Sequence, residues 1–256
     1  MKLWTWIQRH YVKLIGGLLI AFLIGFWLYL QSQRIDLKGY TLSYEETFDG
    51  TALSDDWTPV GDDSFRYIGF YDDEQVSVQD GKLTIQLAYK LGTKGLHLYG
   101  SEVQSTFGIQ RGYVEIRAKL PKSNAINAVI SLTTPDALST TDPTQGAKIV
   151  FASTQHYPYP LLATGIYYSM SAPETENAVA ISAVYGEFHT YGLLWTEESY
   201  AFYFDGIKLW ESVKTPTSTV DQTLSFAFEF PYYTQQDIKS LDITLEIDSV
   251  RIYTKP

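Results

Sequence analysis

The sequence predicts an all-β sandwich preceded by one N-terminal transmembrane helix. Three observations carry this. Apolar side chains alternate at period two in many short runs, Gly, Pro, Asn and Asp punctuate those runs, and one long uncharged apolar stretch stands before them. No stretch after residue 38 sustains a 3.6-residue period, and neither an internal repeat nor a second folded domain is legible.

The apolar stretch is Leu14 to Leu30, LIGGLLIAFLIGFWLYL. It is slightly short of a full span, and tilt and the flanking Tyr11–Val12 make up the difference. Trp4, Trp6 and Tyr11 precede it, and Trp27 and Tyr29 stand near its far end, as interfacial aromatics do. The following QSQRIDLKG offers no small-x-small cleavage site, so the stretch reads as an uncleaved signal-anchor rather than a cleaved leader. Lys2, Arg9 and Lys13 precede it with no acid. The expected order is therefore a cytoplasmic tail (1–13), a transmembrane anchor (14–30), a linker (31–39) and an extracytoplasmic β-domain (40–256), at a cell surface or in a periplasm. The absence of cysteine and of N-x-S/T sequons favours a bacterial envelope.

In the body, Leu83, Ile85 and Leu87 share one face of a strand, and Val114, Ile116, Ala118 and Leu120 one face of another. Tyr200–Phe204 and Ile207–Trp210 flank Asp205-Gly206, a dipeptide that favours a two-residue hairpin turn. Phe226, Phe228 and Phe230 alternate with Ser225, Ala227 and Glu229. Ile243, Leu245 and Ile247 alternate, then Val250 and Ile252 continue in the opposite phase, which predicts a bulge near Asp248–Ser249.

Composition narrows the chemistry. With no cysteine there is no thiol catalysis, thiolate metal site or redox chemistry, and the four histidines show no metal-ligand spacing. The net charge is −10, and all the acids lie beyond the anchor, so nucleic acid is a poor partner. Twenty tyrosines suit pleated strands and equally suit rings that stack on sugars.

Five stretches then line up in order: YEETFDGTALSDDW (Tyr44–Trp57), VQDGKLTIQ (Val78–Gln86), GSEVQSTFGIQRGYVEIRAKLP (Gly100–Pro121), FHTYGLLWTEESYAFYFDGIKLW (Phe188–Trp210) and IDSVRIY (Ile247–Tyr253). Together they resemble glycoside hydrolase family 16, the laminarinase and lichenase group. The resemblance implies a jelly-roll sandwich of two curved antiparallel sheets with a glycan cleft along the concave face. It also implies retaining hydrolysis or transglycosylation of β-glucans, in which one carboxylate attacks and a second, about 5–5.5 Å away, acts as acid and then base. The family places these on one strand as E-x-D-x-E or E-x-D-x-x-E.

The matching strand here is GAKIVFAS (Gly146–Ser153). Lys148 stands at the nucleophile position and Val150 at the aspartate position. Ala152 stands at the acid/base position, or Ser153 if the strand is bulged. Pro143 to Pro173 contains no Asp or Glu, so no shift of register supplies the pair. The family's tryptophan-rich stretch before this strand is replaced by NAINAVISLTTPDAL (Asn124–Leu138).

The resemblance further implies a substrate-contacting role for Glu102, with Gln104 beside it. Glu229, opposite the phenylalanine face of its strand, is the best stand-in acid. Tyr157, Tyr159, Tyr167, Tyr168, Tyr232 and Tyr233 flank the expected cleft and could stack on sugar; the alternative is ordinary sheet packing. A structural Ca2+ is implied at Thr47, Gly81 and Asp248, and no redox or organic cofactor. The expected function is that of a membrane-anchored, non-catalytic domain. It binds or guides an extracytoplasmic polysaccharide of β-glucan type, or scaffolds envelope polysaccharide machinery such as a synthase or exporter subunit. The alternative is an active endo-β-glucanase or transglycosidase with relocated carboxylates.

Overall fold

A computed structural model describes the chain except residues 1, 62–64, 67–68, 124–125, 136–141, 169–174, 182, 213–215 and 231–242. It divides into two units, residues 1–36 and 37–256. The first is one helix, α1 (Lys2–Ser32). No proline interrupts it, and its 31 residues reach about 46 Å at 1.5 Å per residue. It therefore extends beyond the apolar stretch at both ends. The segment Ile15–Ser32 is long and apolar enough to cross a membrane, and none of it is buried against protein.

The second unit holds eighteen strands among its described residues: β1 (Thr41–Glu46), β2 (Trp57–Pro59), β3 (Phe65–Arg66), β4 (Gly69–Tyr71), β5 (Val76–Gln79), β6 (Lys82–Gly92), β7 (Gly95–Gly100), β8 (Glu102–Ser105) and β9 (Gly112–Lys119). The series continues with β10 (Asn127–Thr133), β11 (Lys148–Ser153), β12 (Leu161–Tyr167), β13 (Thr175–Ala180), β14 (Phe188–Trp195), β15 (Tyr200–Phe204), β16 (Ile207–Ser212), β17 (Thr223–Glu229) and β18 (Ile243–Thr254). One sheet runs β16-β15-β14-β9-β18-β6-β7-β4-β3, with β1 added on β18 and β5 on β6. The other runs β13-β12-β11-β10-β17-β8-β2. Pairing is antiparallel apart from β4 with β7.

The two sheets close on one core, and the sequence periodicity decides which residues enter it. Leu83, Ile85, Leu87, Val114, Ile116, Ala118, Leu245 and Ile247 come from the first sheet, and Ile130, Leu132, Leu224, Phe226 and Phe228 from the second; each is 0% exposed. Burying a side chain of this size contributes about 1.5–3 kcal/mol. Trp57 lies across Phe226 with ring centroids 5.4 Å apart, and so ties the edge strand β2 to the core. The bulge falls where the phase slip of the last strand puts it. The β18–β9 register shifts between Ile247 and Ser249, so Val250 and Ile252 return to the core. Asp205 and Gly206 both have positive φ and close the β15–β16 hairpin.

Buried tyrosines set an alkaline limit on this core. Burial pushes Tyr185 and Tyr200 up to about 12, and it also raises Tyr113 and Tyr191. An unfolded tyrosine ionises near pH ~10. The folded state holds these protons more tightly, so their contribution is complete below pH ~10 and is lost as pH rises toward the folded values. The thermal midpoint should therefore fall steadily above pH ~10, with tyrosinate absorbance appearing together with unfolding. Ionisation of these tyrosines with no loss of folded structure would refute this.

Candidate functional site

The outward face of the second sheet is set by the same alternation that fills the core. On β10, Ala128, Ile130 and Leu132 enter the core, so Asn127, Val129, Ser131 and Thr133 face out. On β17 the outward residues are Thr223, Ser225, Ala227 and Glu229, because Leu224, Phe226 and Phe228 point in. Ala227 pairs with Glu102 and Ser225 with Gln104, which puts both β8 residues on the same face.

β11 carries an extra residue. Its register with β10 runs Ile149↔Leu132, Val150↔Ser131, Ala152↔Ile130 and Ser153↔Val129, skipping Phe151. The bulge turns both Phe151 and Ala152 into the core, at 2% and 0% exposed. Ser153 therefore takes the third outward position, and the series on this face is Lys148, Val150, Ser153. Ala152 does not occupy it. The bulge itself was the open alternative in the sequence, and no side-chain pattern in KIVFAS distinguishes the two registers.

These residues line two adjoining cavities. One, about 220 Å³, is bounded by Asn127, Val150, Ser153, Gln155 and Tyr167, and the other, about 200 Å³, by Tyr71, Glu102, Ser131 and Ser225. Lys148 and Glu229 line both. They form an ion pair that crosses over β10 and stands between the cavities. Asn127 Nδ2 donates to Glu229 Oε2 at 3.4 Å, and Ser153 Oγ donates to Asn127 Oδ1 at 2.7 Å. Glu102 Oε1 accepts from Gln104 Nε2 at 2.7 Å and from Ser225 Oγ at 2.6 Å. Beneath this network the floor residues Ser131, Val150, Ser153, Ser225 and Ala227 are buried although they face away from the core.

The tyrosines divide. Tyr167 lines the first cavity. Tyr157 packs edge-on against Tyr185, at 5.4 Å between centroids, and Tyr168 lies partly buried against the core. Tyr159 is 67% exposed, and Tyr232 and Tyr233 lie outside the described residues. Sequence reasoning missed Asn127, Gln155 and Tyr71. The first was legible as the polar phase of Asn127–Thr133. Tyr71 was not, because β4 reaches the groove through a parallel pairing with β7 that no local pattern encodes; its hydroxyl donates to the Phe228 carbonyl at 3.0 Å.

The expected calcium site would use the backbone carbonyls of Thr47 and Gly81 and the carboxylate of Asp248. Asp248 sits at the bulge, but its Oδ2 lies 3.0 Å from Arg117 Nη1, so a guanidinium already supplies the positive charge there. Gly81 has φ +68 and turns the chain between β5 and β6. Among the described residues no three Asp, Glu or His side chains converge on one point.

The comparisons with known proteins agree with this fold. Residues 65–238 match the family model described as glycosyl hydrolases family 16. Among solved structures, the laminarinase catalytic domain of Thermotoga maritima MSB8 is 18% identical with a TM-score of 0.70, covering 85% of this chain and 99% of that one. The endo-beta-1,3-glucanase of Pyrococcus furiosus is 16% identical with a TM-score of 0.72, covering 87% and 98%. The laminarinase of Flavobacterium sp. UMI-01 is 20% identical with a TM-score of 0.69, covering 84% and 100%. No curated protein matches the sequence.

Proposed function

For a chain that belongs to glycosyl hydrolase family 16, we propose a groove that binds a neutral, β-glucan-type polysaccharide without cutting it, carried on a membrane anchor. One observation supports this above the others: the three groove-facing positions of β11 are Lys148, Val150 and Ser153. Retaining hydrolysis needs a carboxylate to attack the anomeric carbon and a second carboxyl group to protonate the leaving oxygen. A lysine ammonium has no electron pair to attack with, valine has no polar group, and a serine hydroxyl is far too weak an acid.

A second reading has its own support. Glu102 and Glu229 line one cavity from neighbouring strands, offset by one outward position, so they could form a relocated pair. The hydrogen bonds count against it. Both carboxylates accept from fixed donors, Lys148 for one and Ser225 with Gln104 for the other. A retaining pair needs one carboxylate free to attack, and Glu229 has both oxygens engaged, Oε1 by Lys148 and Oε2 by Asn127, while Glu102 has Oε1 engaged. The same polar groups suit binding, since sugar hydroxyls can both accept from and donate to them over a floor of small, mostly hydroxylated side chains.

The anchor reading rests on the exposed apolar segment Ile15–Ser32, with Lys2, Arg9 and Lys13 before it. In this arrangement the N-terminus stays in the cytoplasm and the β-domain faces outward. A tether of this kind keeps the groove at high local concentration near the membrane.

The full chain in detergent, incubated with reducing-end-labelled β-1,3-glucan, should release no more product than a heat-inactivated control, while calorimetry with the same glucan gives saturable binding. Product release abolished by Glu229→Gln or Glu102→Gln would overturn the non-catalytic reading. No heat across a panel of neutral glucans would overturn the binding reading.

A further inference from the structure

Very little chain separates the apolar helix from the β-domain. Arg34 N–H still donates to the Gln31 carbonyl at 3.3 Å, which continues the last turn of α1. Tyr40 N–H donates to the Leu37 carbonyl at 2.9 Å and Gly39 takes φ +82, so Leu37–Tyr40 is a turn that leads straight into β1. Only Ile35 and Asp36 lie between these two features. Arg34 to Leu37 is three residue steps, about 10 Å at full extension. The apolar stretch ends at Leu30, one helical turn earlier. The β-domain therefore begins no more than about 16 Å of chain from the end of that stretch, and a headgroup layer takes up about 5–8 Å.

The side chains at this end of the first sheet suit that layer. Leu42 pairs with Tyr253 across β1 and β18 and is 48% exposed. Tyr40, two residues earlier, has Lys255 Nζ 4.9 Å over its ring. Tyr253 packs on Tyr113 with 6.0 Å between centroids, and Tyr113 meets Tyr203 edge-on at 5.8 Å, so the patch has a firm aromatic backing. Lys38 and Lys255 are exposed, and Glu45 beside them is already paired with Arg251 at 2.7 Å. A membrane–water boundary collects such side chains: the ring and the leucine sit in the boundary and the ammonium reaches the headgroups.

We propose that the β1–β18 end of the β-domain docks on the phospholipid surface, with Tyr40, Leu42 and Lys255 in the headgroup layer. This rests on reading α1 as a membrane anchor. The patch is small, and on a free protein it would hold a bilayer weakly. The short connection changes this, because it keeps the patch at an effective concentration of about millimolar or above. Docking holds the groove at a fixed height over the bilayer instead of letting the domain swing on its tether.

The chain has no cysteine, so single labels are clean. Leu42→Cys, Leu91→Cys and Ile24→Cys are each labelled with an environment-sensitive fluorophore. Leu91 is the control: it is 80% exposed and lies beyond the Leu87–Ile243 pair, at the opposite end of the sheet from Leu42. The full chain is placed in nanodiscs of phosphatidylcholine and phosphatidylglycerol that carry spin-labelled lipid. A headgroup spin label should quench the fluorophore at position 42 and spare the one at position 91, and an acyl-chain spin label should quench the one at position 24. Lys255→Gln should lower the ratio of docked to undocked domain about fivefold on this anionic surface. A label at position 42 as unquenched as that at position 91 overturns the proposal, and equal quenching at both overturns its assignment to this end. An unquenched label at position 24 overturns the anchor reading and the docking with it, so the two failures are told apart.

Discussion

Lys148→Ala and Glu229→Ala should each weaken glucan binding about tenfold or more, and the double variant should bind little worse than either single one. The two side chains hold each other across β10, between the two halves of the groove. Losing a hydrogen bond to a charged group costs about 1.5–3 kcal/mol, which is roughly 10–100-fold in affinity. Removing one partner also frees the other from its position, so the two losses overlap rather than add. Stability should change little. The side chains are 21% and 39% exposed, and pairs this close to solvent contribute about 0–1 kcal/mol. Calorimetric titration with a β-1,3-glucan hexamer, run beside thermal unfolding, separates the two effects. Unchanged affinity in both single variants would mean that the pair only fastens strands together. Losses that simply add would mean that each residue meets the sugar independently.

Gly112→Ala should lower the thermal midpoint by roughly 6–12 °C, and Gly206→Ala by much less. Both glycines have positive φ, +109 and +75, so the comparison isolates what surrounds them. A methyl group on Gly112 would lie 2.4 Å from the carbonyl oxygen of Tyr253, which is backbone on the adjoining β18 and cannot rotate away. Strain in φ and an overpacked contact between central strands together cost about 3 kcal/mol, worth about 2–4 °C each in a domain of this size. A methyl group on Gly206 meets nothing within 4 Å, so only the backbone term of about 1 kcal/mol remains. Equal shifts in the two variants, read by differential scanning calorimetry, would show that neighbouring backbone plays no part.

Much of the architecture was open to reading along the chain. Val114, Ile116, Ala118 and Leu120 announce one buried face because a strand repeats every two residues, and all four are 0% exposed. The Asp205-Gly206 hairpin and the Asp248–Ser249 bulge were equally local, the first a matter of turn chemistry and the second of a phase slip. The groove was harder. Lys148 and Val150 were placed by motif spacing. The residue that completes their series depends on whether β11 bulges, and that is settled by how Phe151 and Ala152 both fit the core.

The sequence by itself determined the alternation that makes two sheets, the apolar segment that precedes them, and the absence of any acid between Pro143 and Pro173. These are properties of neighbours along the chain. Only the tertiary structure decided that Glu229 reaches Lys148 over an intervening strand and that Tyr71 enters the groove from a parallel edge. Those pairs are brought together by strand order and by the packing of one sheet on the other, and period-two patterning carries no information about which strands become neighbours.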